Sequence, residues 1–119
     1  MPFTIRCHAT FEAAHHLRDY VGGPEPVHGH SWKIEVALGT DALGAYDLSV
    51  DFVPTERLVR ELAARLHDRD INSVPPFDGK NPSAENVALW VADEIRAQAD
   101  APQAAPGDLW RYAAFLYRP

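Results

Sequence analysis

The chain has 119 residues, enough for one ordinary domain and too few for two. Apolar residues make up 46%, which supports a packed core and excludes intrinsic disorder, and 17 acidic against 11 basic side chains give a net charge of −6, which argues against nucleic acid as a partner because phosphate contacts need a basic footprint. No run approaches the ~20 apolar residues of a membrane span. Met1-Pro2-Phe3-Thr4-Ile5 shows no secretory signal, and one cysteine, Cys7, excludes an intrachain disulfide, so a cytoplasmic domain is expected.

Residues 3 to 15 alternate. Phe3, Ile5, Cys7, Ala9, Phe11, Ala13 and His15 share one parity, and Thr4, Arg6, His8, Thr10 and Glu12 the other, which predicts a long half-buried strand. Val21-Gly22-Gly23-Pro24-Glu25-Pro26 is turn chemistry. Alternation resumes with His28, His30, Trp32, Ile34, Val36 and Leu38 and ends near Gly39-Thr40-Asp41. A third extended stretch is expected at Leu48–Phe52, running into Pro54. Leu58, Leu62 and Leu66, with Val59 and Ala63, then form a helical stripe that fades at His67-Asp68-Arg69-Asp70. A loop with Pro75-Pro76 and Asp78-Gly79 leads to Ser83, an N-cap for a second helix from Ala84 to about Asp100 with Val87, Trp90, Val91 and Ile95 on its apolar face. A last strand is expected from Leu109 to Tyr117. The order predicts a single α+β domain over 1–119, a roughly four-stranded antiparallel sheet with two helices on one face. Its edges need covering, and another copy of the chain is one way to cover them.

Five of the six histidines precede residue 31. His15 lies on the apolar parity at the end of strand one, and His28 and His30 lie on the apolar parity at the start of strand two. Antiparallel pairing of these strands brings the three imidazoles to one end of one sheet face. Side chains two apart on a strand are roughly 7 Å apart, a gap two imidazoles can close onto one ion at Zn–N distances of about 2.0–2.1 Å. Three protein nitrogens and an open fourth position describe a catalytic zinc site. A single histidine on an apolar parity is usually a hydrogen-bonded core residue, but three converging on one sheet end are not explained that way. Gly29 between two of them lets the backbone come close or leaves room on the opposite face. His16 sits on the other parity and is expected to be exposed or to support the ligands from behind, and His8 faces the polar side and receives no role.

These residues carry a family resemblance. Phe11-Glu12-Ala13-Ala14-His15-His16-Leu17, Val27-His28-Gly29-His30-Ser31-Trp32, Val50-Asp51-Phe52 and Asn81-Pro82-Ser83-Ala84-Glu85-Asn86 resemble, in order, four segments of the 6-pyruvoyl-tetrahydropterin synthase and 6-carboxy-tetrahydropterin synthase family. The resemblance covers roughly residues 3 to 118. It implies the tunnelling fold, in which strands close a ring between subunits of a trimer or hexamer and active sites lie at the interfaces. It implies Zn²⁺ on His15, His28 and His30 and a pterin substrate, with a cysteine and an Asp–His pair moving protons.

The sequence departs from that pattern in three places. The family cysteine, four residues before the first His of H-G-H, is Pro24 here, and Glu25 follows, which resembles the E-x-x-H-G-H branch that cleaves the side chain to 6-hydroxymethyl-dihydropterin, a folate precursor. The family's Asp-His order is exchanged to His67-Asp68, which changes the bearing of the imidazole by ~100° around the helix. The glutamate that anchors the pterin in the last strand aligns with Tyr117, which offers fewer hydrogen bonds to the ring. The resemblance therefore makes Glu25, His67 and Asp68 the catalytic candidates, and Ser83, Glu85 and Tyr117 the candidate substrate contacts. Arg18, Lys33 and Lys80 are the cations available for phosphate. The leading expectation is a zinc-dependent lyase acting on dihydroneopterin triphosphate or a related pterin. The alternatives are 6-carboxy-tetrahydropterin synthesis for deazapurines such as queuosine, and a divergent zinc-binding homologue that holds a pterin- or purine-like ligand without turnover.

Overall fold

A computed structural model describes residues 3–48, 51–98 and 111–117, the last of these as backbone only. Strand β1 spans Phe3–His15 and β2 spans His28–Thr40. Helix α1 spans Phe52–Leu66, and β3 is the two-residue stretch Arg69–Asp70. Helix α2 spans Ala84–Gln98, and β4 spans Arg111–Tyr117. The sheet order is β3-β1-β2-β4. β1 and β2 pair antiparallel along their full length, from Phe3↔Thr40 to His15↔His28, and β4 pairs antiparallel with β2.

The alternation becomes burial. On the apolar parity Cys7, Phe11 and Ala13 of β1 are buried, as are Trp32, Ile34, Val36 and Leu38 of β2, whereas Thr4, Arg6, His8, Thr10 and Glu12 are exposed. Both helices cover that face. α1 lies mainly over β1 and α2 over β4. Leu58, Val59, Leu62, Ala63 and Leu66 meet Val87, Trp90, Val91 and Ile95 in one core, closed at the site end by Ile71 and Phe77. Each of the largest side chains contributes about 1.5–3 kcal/mol through apolar area removed from water. No described helix is long and apolar enough to cross a membrane.

Two expectations are corrected. The third strand expected over 48–52 does not form at its described end: Phe52 is the first residue of α1 and Asp51 its N-cap, with Asp51 Oδ1 accepting from the Val53 N–H at 3.1 Å and the Thr55 hydroxyl donating to the Asp51 carbonyl at 3.1 Å. Five alternating residues are too short a run to separate a strand from a helix entrance, and Pro54 fits a first helical turn, where its missing N–H has no partner to lose. Residues 49 and 50 lie outside the described set, as do the ends expected for α2 beyond Gln98 and for β4 before Arg111.

The sheet is also not wholly antiparallel. Among the described residues it has three longer antiparallel strands, and β3 is a short parallel addition at Ala13↔Arg69 and Ala14↔Asp70. The chain is brought there by its exit from α1. The Asp68 N–H donates to the Glu12 carbonyl at 2.7 Å, and the Glu12 N–H donates to Nδ1 of His67 at 3.1 Å. Asp70 then ends the pairing by accepting from the Asn72 N–H at 3.1 Å, which opens a 3-10 turn.

The cap gives a measurable stability contribution. Asp51→Ala removes the acceptor for the Val53 N–H, and urea denaturation is expected to show a loss of ~1 kcal/mol.

Candidate metal and substrate site

The register delivers the histidines to one place. His15 pairs with His28, and Ala13 with His30, so all three imidazoles rise from the apolar face at the end of the β1–β2 ribbon. Ring centroids are 4.6 Å apart for His15 and His28, 5.1 Å for His15 and His30, and 5.8 Å for His28 and His30. One ligand nitrogen from each ring lies within 4.8 Å of the other two, the only such group among the described residues. Trp32, next on the same parity, forms the floor: His30 stacks on it at 4.4 Å, His15 meets it edge-on at 4.6 Å, and its indole N–H donates to the Ala13 carbonyl at 3.3 Å.

Each ring is held from behind by a backbone carbonyl. Nδ1 of His15 lies 2.7 Å from the Pro82 oxygen, Nδ1 of His28 3.1 Å from the Pro26 oxygen, and Nδ1 of His30 2.8 Å from the Ser31 oxygen. A carbonyl only accepts, so each Nδ1 carries the hydrogen, and in the neutral form of the ring Nε2 is left bare. The Nε2 atoms of His15 and His30 stand 3.2 Å apart. Two facing lone pairs at that distance repel unless an electrophile lies between them, and nitrogens on a tetrahedral zinc are about 3.3 Å apart. The donor set therefore fits a zinc-like cation, with tautomers fixed in the way metal-binding histidines require.

Electrostatics agree. Burial pushes the pKa of His15 down, and the neighbouring His28 and His30 push the same way against the Pro82 carbonyl and Glu25. The ring thus keeps its neutral form to lower pH than a solvated histidine does.

The imidazoles line a cavity of about 300 Å³ together with Leu17, Tyr20, Glu25, Trp32, Ser83, Ala84 and Glu85. Glu25 reaches it from the turn because its loop is zipped to the end of β1. The Glu25 N–H donates to the Leu17 carbonyl at 2.9 Å, and the Leu17 N–H donates to Oε1 of Glu25 at 2.9 Å. Ser83 caps α2, its hydroxyl oxygen accepting from the Asn86 N–H at 3.1 Å, and Glu85 is exposed at the mouth.

Other candidates lie elsewhere. Cys7 is buried eight residues from His15, roughly 26 Å along the strand, and burial raises its thiol pKa, so it takes no part in this cavity. The His67 ring accepts from the Glu12 N–H through Nδ1, and its Nε2 lies 3.4 Å from Asp68. Neither lines the histidine cavity of its own chain. Asp68 lies on a second, more open cavity with Glu12, Gly29, His30, Arg69 and Asp70, so His30 borders both cavities. Tyr117 pairs through its backbone with Lys33, and its side chain lies outside the described set. Arg18 turns its guanidinium to the carbonyls of Phe77 at 2.6 Å and Asn72 at 3.2 Å, away from the cavity. At Gly29 an added Cβ would meet only the Ala13 carbonyl, at an ordinary 3.8 Å, so close packing within the chain does not explain this glycine. Sequence reasoning missed Trp32, Leu17 and Tyr20. Parity pointed to Trp32, whereas no pattern marks the two loop residues.

A family model for 6-pyruvoyl tetrahydropterin synthase matches residues 4–111. The dihydroneopterin monophosphate aldolase of Pyrococcus furiosus is 30% identical over 101 residues, covering 85% of this chain and 76% of that protein. Among solved structures, 6-pyruvoyl tetrahydropterin synthase from Caenorhabditis elegans aligns with a TM-score of 0.71 at 17% identity, covering 98% of this chain and 95% of the other. A Plasmodium vivax 6-pyruvoyltetrahydropterin synthase with a catalytic residue, a glutamate, changed to alanine aligns with a TM-score of 0.64 at 15% identity, covering 98% and 99%. These structural likenesses establish the shared fold.

The buried imidazole gives a pH prediction. The unfolded chain takes up a proton on His15 near pH 6.5, whereas the folded chain resists that proton until lower pH. Unfolding therefore binds a proton in this window, and metal-free protein is expected to lose stability as pH falls below about 6.5. Thermal midpoints of chelator-treated protein against pH check this, and His15→Gln is expected to flatten that part of the curve.

Proposed function

The chain belongs to the 6-pyruvoyl tetrahydropterin synthase family, and from that premise we propose that it is a zinc-dependent aldolase-type lyase that cleaves the side chain of a dihydroneopterin phosphate to 6-hydroxymethyl-dihydropterin. The observation that carries this reading is Glu25. A carboxylate shares the cavity with three imidazoles at the turn where the family cysteine is replaced, and the one cysteine of the chain is remote and buried. The aldolase name of the Pyrococcus relative supports the same reaction type.

The proposed chemistry is a retro-aldol cleavage. His15, His28 and His30 would hold the cation, which when bound supplies a Lewis acid for the side-chain oxygens of the substrate. Glu25 takes the proton of the 2′-hydroxyl. Its Oε1 is anchored by the Leu17 N–H, which leaves Oε2 to face the substrate. The C1′–C2′ bond breaks as the 2′ oxygen becomes an aldehyde. Its electron pair passes into the conjugated C6–N5 unit of the dihydropterin, and a proton returned to C1′ completes 6-hydroxymethyl-dihydropterin beside a phosphorylated two-carbon aldehyde. Trp32, Leu17 and Tyr20 give the cavity apolar walls. Ser83 and Glu85 stand at its rim as polar contacts for the ring.

Assembly is part of the proposal. His67 and Asp68 do not line the cavity that holds Glu25 and all three imidazoles, and in a ring trimer or stacked hexamer they would act on the cavity of a neighbouring copy. Copies pairing along the sheet edges would also cover them. The 6-carboxy alternative lacks a thiol in the cavity. Binding without turnover is favoured by one observation, the engagement of the His67 ring by the Glu12 N–H, and the assay below decides between it and cleavage.

Zinc-loaded protein incubated with dihydroneopterin monophosphate, and separately with the triphosphate, is expected to release 6-hydroxymethyl-dihydropterin, identified by chromatography and mass. Glu25→Gln is expected to lower kcat about 10²–10⁴-fold with metal content unchanged. Unchanged turnover would remove Glu25 as the base, and no product from either substrate would favour the binding reading. Light scattering coupled to gel filtration is expected to give a mass three or six times that of the chain, and a monomer would remove the ring assembly.

A further inference from the structure

The second helix enters the site through a segment that no proposed catalytic step uses. Pro82, whose carbonyl accepts from His15, is buried and immediately precedes the cap of α2. Its neighbour Asn81 is tied at two points. The Arg18 N–H donates to Oδ1 of Asn81 at 2.9 Å, and the side-chain amide of Asn86, Nδ2, donates to the Asn81 carbonyl at 2.8 Å. Asn86 also donates its backbone N–H to Ser83. One residue in the first turn of α2 therefore grips the chain on both sides of Pro82, whose own φ is fixed by its ring.

We propose that Asn86 is a positioning residue for His15: by holding Asn81 and Ser83 from the first turn of α2, it keeps the Pro82 carbonyl where that oxygen fixes the His15 tautomer with a bare Nε2. The proposal rests on the reading of the three imidazoles as a metal site. A serine or glutamate at this helix position would serve the cap alone. The amide adds a donor that reaches back beyond the cap, to the residue before the proline. Without it the Asn81 carbonyl loses that donor, the Pro82 peptide gains freedom to rotate, and His15 can exchange to the Nε2–H form, which offers a cation no lone pair on the cavity side.

The test uses full-length protein with ¹⁵N-labelled histidine, read by long-range proton–nitrogen correlation in metal-free samples, and Co²⁺ titration followed by visible absorption. Wild type is expected to show His15 with hydrogen on Nδ1. Asn86→Asp keeps the shape and suits a helix N-terminus but lacks the donor, so it is the variant most certain to fold; Asn86→Leu removes the donor without adding charge. Both are expected to show mixed His15 tautomers and about 10–100-fold weaker Co²⁺ binding. Val59→Ala, a truncation in the remote core, is expected to lower the thermal midpoint while leaving the tautomer and Co²⁺ affinity as in wild type. A wild-type His15 tautomer together with Co²⁺ affinity within twofold of wild type in both Asn86 variants would overturn the proposal. So would equal weakening by Val59→Ala. Wild type that takes up no Co²⁺ or Zn²⁺ would instead overturn the metal reading, and the tautomer comparison would still decide the role of Asn86.

Discussion

The pairing of His15 with His28 across β1 and β2 is the constraint from which the site follows. Side chains on a strand alternate faces, so a slip of one residue in this register would carry His28 and His30 to the opposite side of the sheet from His15. The pairing is not fixed at the site itself. It is fixed by the long apolar row behind it, where Ile5, Cys7, Ala9 and Phe11 stand opposite Leu38, Val36, Ile34 and Trp32. Burial of these residues under α1 and α2 is what makes the alternative register costly. The core and the histidine cluster are thus two ends of one row of side chains.

Much of this was legible in the residues. Parity located both ends of β1 and the start of β2, and the apolar stripes placed both helices, because each of those elements is long enough for its period to be counted. The entrance to α1 was not legible, since its apolar residues alternate over only a few positions before Asp51 and Pro54 impose the helix. Nor was β3, whose two residues carry no periodicity and whose place is set by hydrogen bonds from Glu12 to the chain just after α1. The histidine set was legible from parity. The carbonyls that fix its tautomers were not, because a backbone acceptor leaves no mark in the sequence. Arg18 was open as a phosphate contact until its guanidinium was located against two backbone carbonyls. The motif Asn81-Pro82-Ser83 was visible only as a helix start, and its contact with His15 depends on tertiary packing across 67 residues.

Glu25 and the imidazoles reach one cavity by different routes. The rings are placed by sheet register. The carboxylate is placed by the double contact between Glu25 and Leu17, which closes the turn just beyond the strands. Gly22, at φ +89°, shapes the tip between those two contacts, whereas Arg18 at the base ties the turn to Asn81.

That separation has an evolutionary consequence. Insertions or deletions at the tip, around residues 21–23, would leave the three histidines in place, because the closure lies at the base of the turn and not along its length. The loop carboxylate can therefore be exchanged while the placement of the three histidines is inherited intact. A scaffold built this way diversifies by swapping one loop, and the same loop is the natural place to graft a different polar side chain beside the imidazoles.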